Sequence, residues 1–408
     1  RKIVKIIDMA VKTGCPVIGL IDSGGARIQE GLDTLAGYGA VYAAQSRASG
    51  MVPQISVIMG PCTGAAAYMT ALSDLVMMVA GSEMYITPPQ VTQGLTGEAV
   101  DGKSLGGAEV QMEKSGAVDL VYENEETCLD ELAGLFGYLP QNNKDAADIE
   151  DRGDDPNRMA EGIASVLPAD DSAPYDVREI ITAVVDNGAF LELKKGFAPN
   201  IVTGLCRLGG VSAGIVANQP AHLNGVLDID AVTKAARFVR FCDAFGIPVI
   251  SMVDVASFKP GTDQEHGGLV RHGAKLLYAY AQASVPVVTV ILRRAYGGAY
   301  TAMGSKHIGA DMVYAWPTAK VAVMSPEAAA NILFHEEIGT AADPIAARQT
   351  RIEEYAKVYA NPYIAAGKGY VDDVIEPEAT RPCLISALSM LISKKAETPD
   401  RKHGNMPL

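Results

Sequence analysis

Apolar positions in the first half of the chain fall into short continuous runs rather than long helical faces. Residues 16–21 (PVIGLI) and 54–59 (QISVIM) read as buried strands, each running into a glycine-rich turn. In the second half the strand signal returns at 214–217 and 247–253. Between them 231–245 reads as an amphipathic helix, with Ala235, Phe238, Phe241 and Phe245 recurring at helical spacing. The alternation predicts an α/β fold with ligand loops at strand ends.

The pattern breaks between 140 and 175, where QNNKDAADIEDRGDDPNR and then PADDSAP are acidic and loop-like. This places a linker at 151–175, between a domain at 1–150 and a second at 176–408. A chain of 408 residues is long enough for two such cores.

An internal repeat ties the halves together. CPVIGLID, ending at Asp22, matches IPVISMVD, ending at Asp254, an offset of 232; VPQISVIMGPCTGAA from Val52 matches VPVVTVILRRAYGGA from Val285, an offset of 233. Two separated blocks at nearly one offset indicate a domain used twice.

In each repeat a strand ends in a small-residue turn that should open a helix. The first is Pro61-Cys62-Thr63-Gly64-Ala65-Ala66, the second Ala295-Tyr296-Gly297-Gly298-Ala299. Adjacent unpaired N–H groups at a helix start, with no side chain in the way, form a hole for an oxyanion such as an enolate or a ureido oxygen. One Gly-Gly pair alone signals only close helix packing; two small-residue turns at matching positions favour the oxyanion reading. The turn at 23–31 (SGGARIQEG) follows the first strand, and its Gly24, Gly25, Ala26 and Arg27 could bring backbone close to a thioester or pantetheine.

Composition narrows the chemistry. The net charge of −14 argues against a phosphate-tracking nucleic-acid surface, so a polyanionic ligand needs a local basic site. The longest apolar stretches, such as 285–292, are far too short to cross a bilayer, which predicts a soluble protein. Six cysteines without a CxxC pair fit a reducing cytoplasm. No GxxxxGK[ST], HExxH or GxSxG occurs, and the six histidines show no metal-ligand spacing. Asp263, Glu265 and His266 are expected on a solvated loop, and His272 and His307 in structural or solvent-facing roles. Paired oxyanion holes without a nucleophile or an acid–base pair imply that a cofactor or the substrate supplies the base.

DSGGARIQEG from Asp22, GYGAVY from Gly37, GPCTGAAAY from Gly60, LPQNN from Leu139 and FAPNIVTG from Phe197 lead a series of segments spread over nearly the whole chain. VANQP from Val216, GVLDIDAVTKAARFVRFCDAFGIP from Gly225, PGTDQEHGG from Pro260, RHGAKLLYAYA from Arg271, RRAYGGAY from Arg293 and YAWPTAKVAVM from Tyr314 complete it. With them the chain resembles the carboxyltransferase β-subunits of propionyl-CoA and related acyl-CoA carboxylases, and the α-subunits of methylmalonyl-CoA decarboxylases.

The resemblance implies tandem crotonase-like (ClpP/crotonase) domains, the first lacking its start because 1–10 matches a helix preceded in relatives by several strands. It implies oxyanion holes at Gly64 and Ala65 and at Gly298 and Ala299, with Tyr296 beside the second and Thr301 where acyl preference is set. Propionyl-preferring members typically carry aspartate at that position. Ala65 stands where glycine is usual, MYITPP replaces ITGP near Thr87, and VASFKPG from Val255 replaces PGFLPG.

The implied reaction passes a carboxyl group between carboxybiotin and the α-carbon of a short acyl-CoA. No MKM tripeptide occurs, so biotin would arrive on a separate carrier. Partners would be that biotin carboxyl carrier and a biotin carboxylase, or the membrane subunit of a sodium-pumping decarboxylase, around a homohexamer whose sites lie between subunits. The other readings are the decarboxylating α-subunit itself, a non-catalytic assembly subunit, and, least in keeping with the duplication, a single-crotonase isomerase or hydratase.

Overall fold

A computed structural model of the chain describes residues 1–396 and 400–407. The chain divides into two compact units. The first holds Arg1–Ile149 together with Glu192–Ala198 and Ala244–Ile247; the second holds Glu150–Leu191, Pro199–Asp243 and Pro248–Leu408.

The first unit is built on β1 (Val17–Ser23), β2 (Gln54–Thr63), β3 (Leu75–Val79), β4 (Glu83–Tyr85) and β5 (Leu120–Tyr122). These pair in parallel in the order β1-β2-β3-β5, with β4 also on β2. Parallel strands need crossovers, and helices supply them: Leu32–Ala48 lies between β1 and β2, and Ala65–Ala71 between β2 and β3. Every residue of β3 is buried, as a sheet covered on both faces requires.

The second sheet is built of β6 (Phe190–Leu193), β7 (Ile201–Leu208), β8 (Val211–Asn218), β9 (Val249–Val255), β10 (Val287–Tyr296), β11 (Met312–Ala315), β12 (Lys320–Ala322) and β13 (Asp373–Val374). It runs β13-β11-β10-β9-β8-β7-β6, with β12 on β10. β7 and β8 form an antiparallel hairpin, and the pairs from β8 through β13 are parallel. All of β9 and β10 is buried. The expected helix at 231–245 is present as Ile229–Ala244, with Ala235, Phe238 and Phe241 on its buried side.

The repeat is visible in the topology. The order β9-β10-β11-β13, with β12 on β10, reproduces β1-β2-β3-β5 with β4 on β2. Both copies also share one irregularity. Pairing jumps from Ile21↔Ile58 to Ser23↔Cys62 in the first unit, and from Val253↔Ile291 to Val255↔Ala295 in the second. Each long strand therefore carries two extra residues immediately before its turn.

The acidic stretch at 140–175 contains no β-strand or α-helix, only a short 3-10 turn at Ile163–Val166. It is nevertheless anchored. Ala160, Ile163 and Tyr175 pack in the core of the second unit, and fully buried Arg381 donates to the carbonyl of Asp155 at 3.3 Å and pairs with Asp154 at 3.4 Å. Composition alone reads this segment as a loop-like linker because the arginine that fixes it lies more than two hundred residues downstream.

Candidate active site

The two turns have the same backbone path. Gly64 ends β2 with φ 59°, and Gly297, 233 positions later, ends β10 with φ 58°. The left-handed path is what lets each strand double back into a helix, Ala65–Ala71 or Gly297–Ala302. At Gly297 there is a second constraint, since a Cβ would fall 2.8 Å from the Val323 carbonyl oxygen.

The Gly64 N–H donates to the carbonyl of Tyr85 at 2.9 Å, closing the turn onto β4. The donors of the first helical turn without an intrahelical acceptor therefore begin at Ala65, with Ala66 next. The offset of 233 carries Ala65 and Ala66 onto Gly298 and Ala299. The structure thus sets Ala65 and Gly298 at equivalent positions, matches Ala299 with Ala66, and commits the Gly64 N–H to the framework. The repeat offset, applied strictly, pairs Ala66 with Ala299.

The SGGAR turn lies beside the first turn. Gly25 has φ 88°, and a Cβ on it would sit 2.8 Å from the Thr63 carbonyl oxygen, so only glycine fits. Gly24, Ala26 and Arg27 are exposed, and Arg27 pairs with Glu30 at 3.5 Å. A cavity of about 540 Å³ in this unit is lined by Asp22, Ser23, Thr34, Tyr38 and Ala66. The Tyr42 hydroxyl fixes the turn from behind by donating to the Ala65 carbonyl at 2.7 Å.

In the second unit a cavity of about 460 Å³ opens beside Gly297, Gly298 and Thr301, walled by Tyr300, Tyr355 and Tyr359. Thr301 turns its hydroxyl back to the Gly297 carbonyl at 3.3 Å. His307 also lines this cavity, with Tyr370 edge-on at 4.6 Å. Tyr296, by contrast, is buried. Asp263, Glu265 and His266 are exposed but belong to a short helix, Thr262–Gly267, rather than to a loop.

Behind the second turn lies a buried ion cluster. Asp254, wholly buried, accepts from Arg293 Nε at 2.8 Å and Arg294 Nε at 2.7 Å. Arg293 also stacks on the ring of Tyr175, 5.0 Å from its centre. Neither arginine was singled out from sequence, where their charge suggested no buried role.

The titratable side chains at the turns are poor bases at neutral pH. Burial pushes the Cys62 thiol up to about 11 and the Tyr300 hydroxyl up to about 12, and it raises Tyr296 as well. Each stays protonated at neutral pH, so none of these three is a proton acceptor there.

A carboxyl transferase domain profile matches residues 1–406. The chain belongs to the carboxyl transferase domain family. Within it, the chain is 53% identical to the carboxyltransferase subunit of propionyl-CoA carboxylase from Haloferax mediterranei, over all of this chain and 79% of that protein. It is 50% identical to methylmalonyl-CoA decarboxylase subunit alpha of Veillonella parvula, again over all of this chain and 79% of the relative. A solved transcarboxylase 12S hexamer with methylmalonyl-CoA and methylmalonic acid bound matches with a TM-score of 0.97 at 48% identity. That match covers all of this chain and 78% of the solved one. The fold is the crotonase-like carboxyltransferase fold, and the chain is an enzyme of carboxyl transfer. Among the described residues no helix is long and apolar enough to cross a membrane.

Proposed function

We propose that this chain moves a carboxyl group between carboxybiotin, presented by a separate carrier protein, and the α-carbon of a short acyl-CoA, with propionyl-CoA and methylmalonyl-CoA as the substrate pair. The observation that carries this reading is the pair of matching turns, 233 residues apart, in a member of the carboxyl transferase domain family. Two oxygens gain negative charge in such a transfer, that of the thioester and that of the ureido ring, and two turns with free N–H groups suit them.

In this reading Ala65 and Ala66 hold one oxygen and Gly298 and Ala299 the other. The donors are fixed before the ligand arrives, so no reorganisation is needed as charge develops. A Cβ added at Gly298 would meet Phe258 Cε2 at 3.8 Å, an ordinary contact, so this turn is not closed off by its neighbours. When bound, carboxybiotin supplies the carboxyl group and, once relieved of it, a ureido nitrogen able to take the α-proton. That complements protonated Cys62, Tyr296 and Tyr300. The SGGAR turn, with Gly24, Gly25, Ala26 and Arg27, contacts the thioester arm, and Thr301 and Tyr296 flank the second site.

The named relatives support a short acyl chain, and the transcarboxylase 12S hexamer supports a homohexamer here. Biotin carboxylase and its carrier complete a carboxylase. The 50% identity to a methylmalonyl-CoA decarboxylase alpha subunit supports the reverse direction with a different partner.

The test is loss of methylmalonyl-CoA and malonyl-CoA, followed by chromatography, with and without free biotin. Biotin-dependent loss, faster with methylmalonyl-CoA, is the expected result. A folded protein that consumes neither thioester would reject the proposal.

A further inference from the structure

The helix Leu32–Ala48 grips the helix Ala65–Ala71 at two carbonyls one turn apart. The Tyr42 hydroxyl donates to the Ala65 carbonyl at 2.7 Å, and Gln45 Nε2 donates to the Met69 carbonyl at 2.8 Å. The Tyr42 ring sits edge-on to Tyr68 at 6.3 Å and lies 6.1 Å from the ring of Tyr38. Burial, and then the neighbouring Tyr38 and Tyr68, raise the pKa of the Tyr42 hydroxyl, which keeps its proton and stays a donor at neutral pH.

The two bonds differ in what lies at the other end of the peptide they hold. A trans peptide is one rigid plane whose C=O and N–H point opposite ways, and no peptide bond among the described residues is cis. The Ala65 carbonyl therefore shares its plane with the Ala66 N–H. On either side the donors are taken, the Gly64 N–H by the Tyr85 carbonyl at 2.9 Å and the Ala67 N–H by the Gly64 carbonyl at 3.1 Å. This leaves Ala65 and Ala66 as the open donors of the turn, and Ala66 lines the cavity of about 540 Å³. Holding the carbonyl end of the plane sets the direction of its N–H end, and a carbonyl that accepts a hydrogen bond makes the N–H of the same amide a stronger donor. The Gln45 bond acts a full turn further on, where the N–H of the gripped peptide belongs to Thr70 and lies inside the helix.

We propose that Tyr42 is a positioning residue of the first oxyanion turn: through the peptide it grips at Ala65, its hydroxyl aligns and polarises the Ala66 N–H toward the ligand oxygen that this turn holds. This rests on the carboxyltransferase reading above. The oxygen gains its negative charge only as the carboxyl group moves, so the contribution falls on kcat and leaves binding almost unchanged.

The experiment uses the full chain and biotin-dependent decarboxylation of methylmalonyl-CoA, recording kcat, the KM for free biotin, the KM for the thioester, the melting temperature and the elution volume. Tyr42→Phe keeps the ring and loses only the hydroxyl. It is expected to lower kcat about tenfold, the order of one lost hydrogen bond, with both KM values within about twofold of the parent's. The elution volume should not change, and the melting temperature should stay within about 4 °C. Gln45→Met removes the other bond between the same two helices and is expected to shift the melting temperature similarly while kcat stays within about twofold. Should Tyr42→Phe not fold, Tyr42→Leu, which also lacks the hydroxyl, is judged by the same criteria. A fall in kcat of less than about threefold would overturn the proposal, as would a change confined to KM. So would a fall in kcat that Gln45→Met reproduces, or one accompanied by dissociation into smaller species, since either assigns the bond to helix docking. A parent without biotin-dependent turnover rejects the functional reading and this proposal with it, whereas an active parent with an indifferent Tyr42→Phe rejects this proposal alone.

Discussion

At the end of β2, Gly60 lies so close to Asp22 that an added Cβ would fall 2.7 Å from its carboxylate oxygen. At the end of β10 the matching positions are Arg293 and Arg294, and both grip Asp254. Asp22 is exposed, whereas Asp254 is wholly buried. The two extra residues and the left-handed glycine are common to both ends. What the repeats share is a backbone device for starting a helix at a chosen place; what they do not share is the chemistry that stiffens it. Two buried guanidinium groups on one carboxylate carry a large desolvation cost, offset here by hydrogen bonds from each side.

That contrast can be broken most forcefully at the aspartates. Asp254→Asn leaves two arginines buried without a counter-charge and is expected to destabilise the protein by about 3–5 kcal/mol in urea unfolding. Asp22→Asn should cost less than about 0.5 kcal/mol, as at other exposed positions. Equal effects would show that the two ends are stiffened alike.

A somewhat smaller effect, read in activity, tests whether the turns are equivalent in function. Gly298→Pro and Ala65→Pro each delete one N–H while keeping a residue acceptable in the first turn of a helix. Each is expected to lower kcat by about 10²–10³, roughly 2.7–4 kcal/mol. A loss at only one turn would mean that the other is structural.

A smaller change than these losses concerns acid stability of the second unit, where the Arg158 hydrogen bonds, then the Asn187 N–H and the Arg381 charge, hold the Asp154 carboxyl down to about 2. A depressed folded pKa means that the carboxylate stabilises the fold fully above its unfolded value near 3.8 and loses that contribution as pH falls through about 2. Asp154→Asn should therefore unfold more easily than the parent above pH 4, by about 1.5–3 kcal/mol. The two melting curves should converge near pH 2, and a gap independent of pH would assign the effect to packing.

The parallel sheets, the helix at 229–244 and the duplicated turns were legible in the sequence because strands buried on both faces leave continuous apolar runs and a helix leaves its own period. The commitment of Gly64 to Tyr85 was hidden because it depends on β4, whose three residues carry no pattern of their own. The packing of 151–175 depends on Arg381, and the burial of Asp254 on Arg293 and Arg294. Each is a long-range contact that no local spacing announces.

The two extra residues ahead of each turn also constrain how this architecture can change. Side chains along a strand alternate between faces, so an even insertion lengthens the strand while every later residue keeps its face. Removing Gly60 alone, or Arg293 alone, would turn Cys62 or Ala295 onto the opposite face of its sheet and swing the helix start to the wrong side. Length variation at these strand ends should therefore come in steps of two, a parity rule that a set of engineered deletions can read directly from which variants still fold.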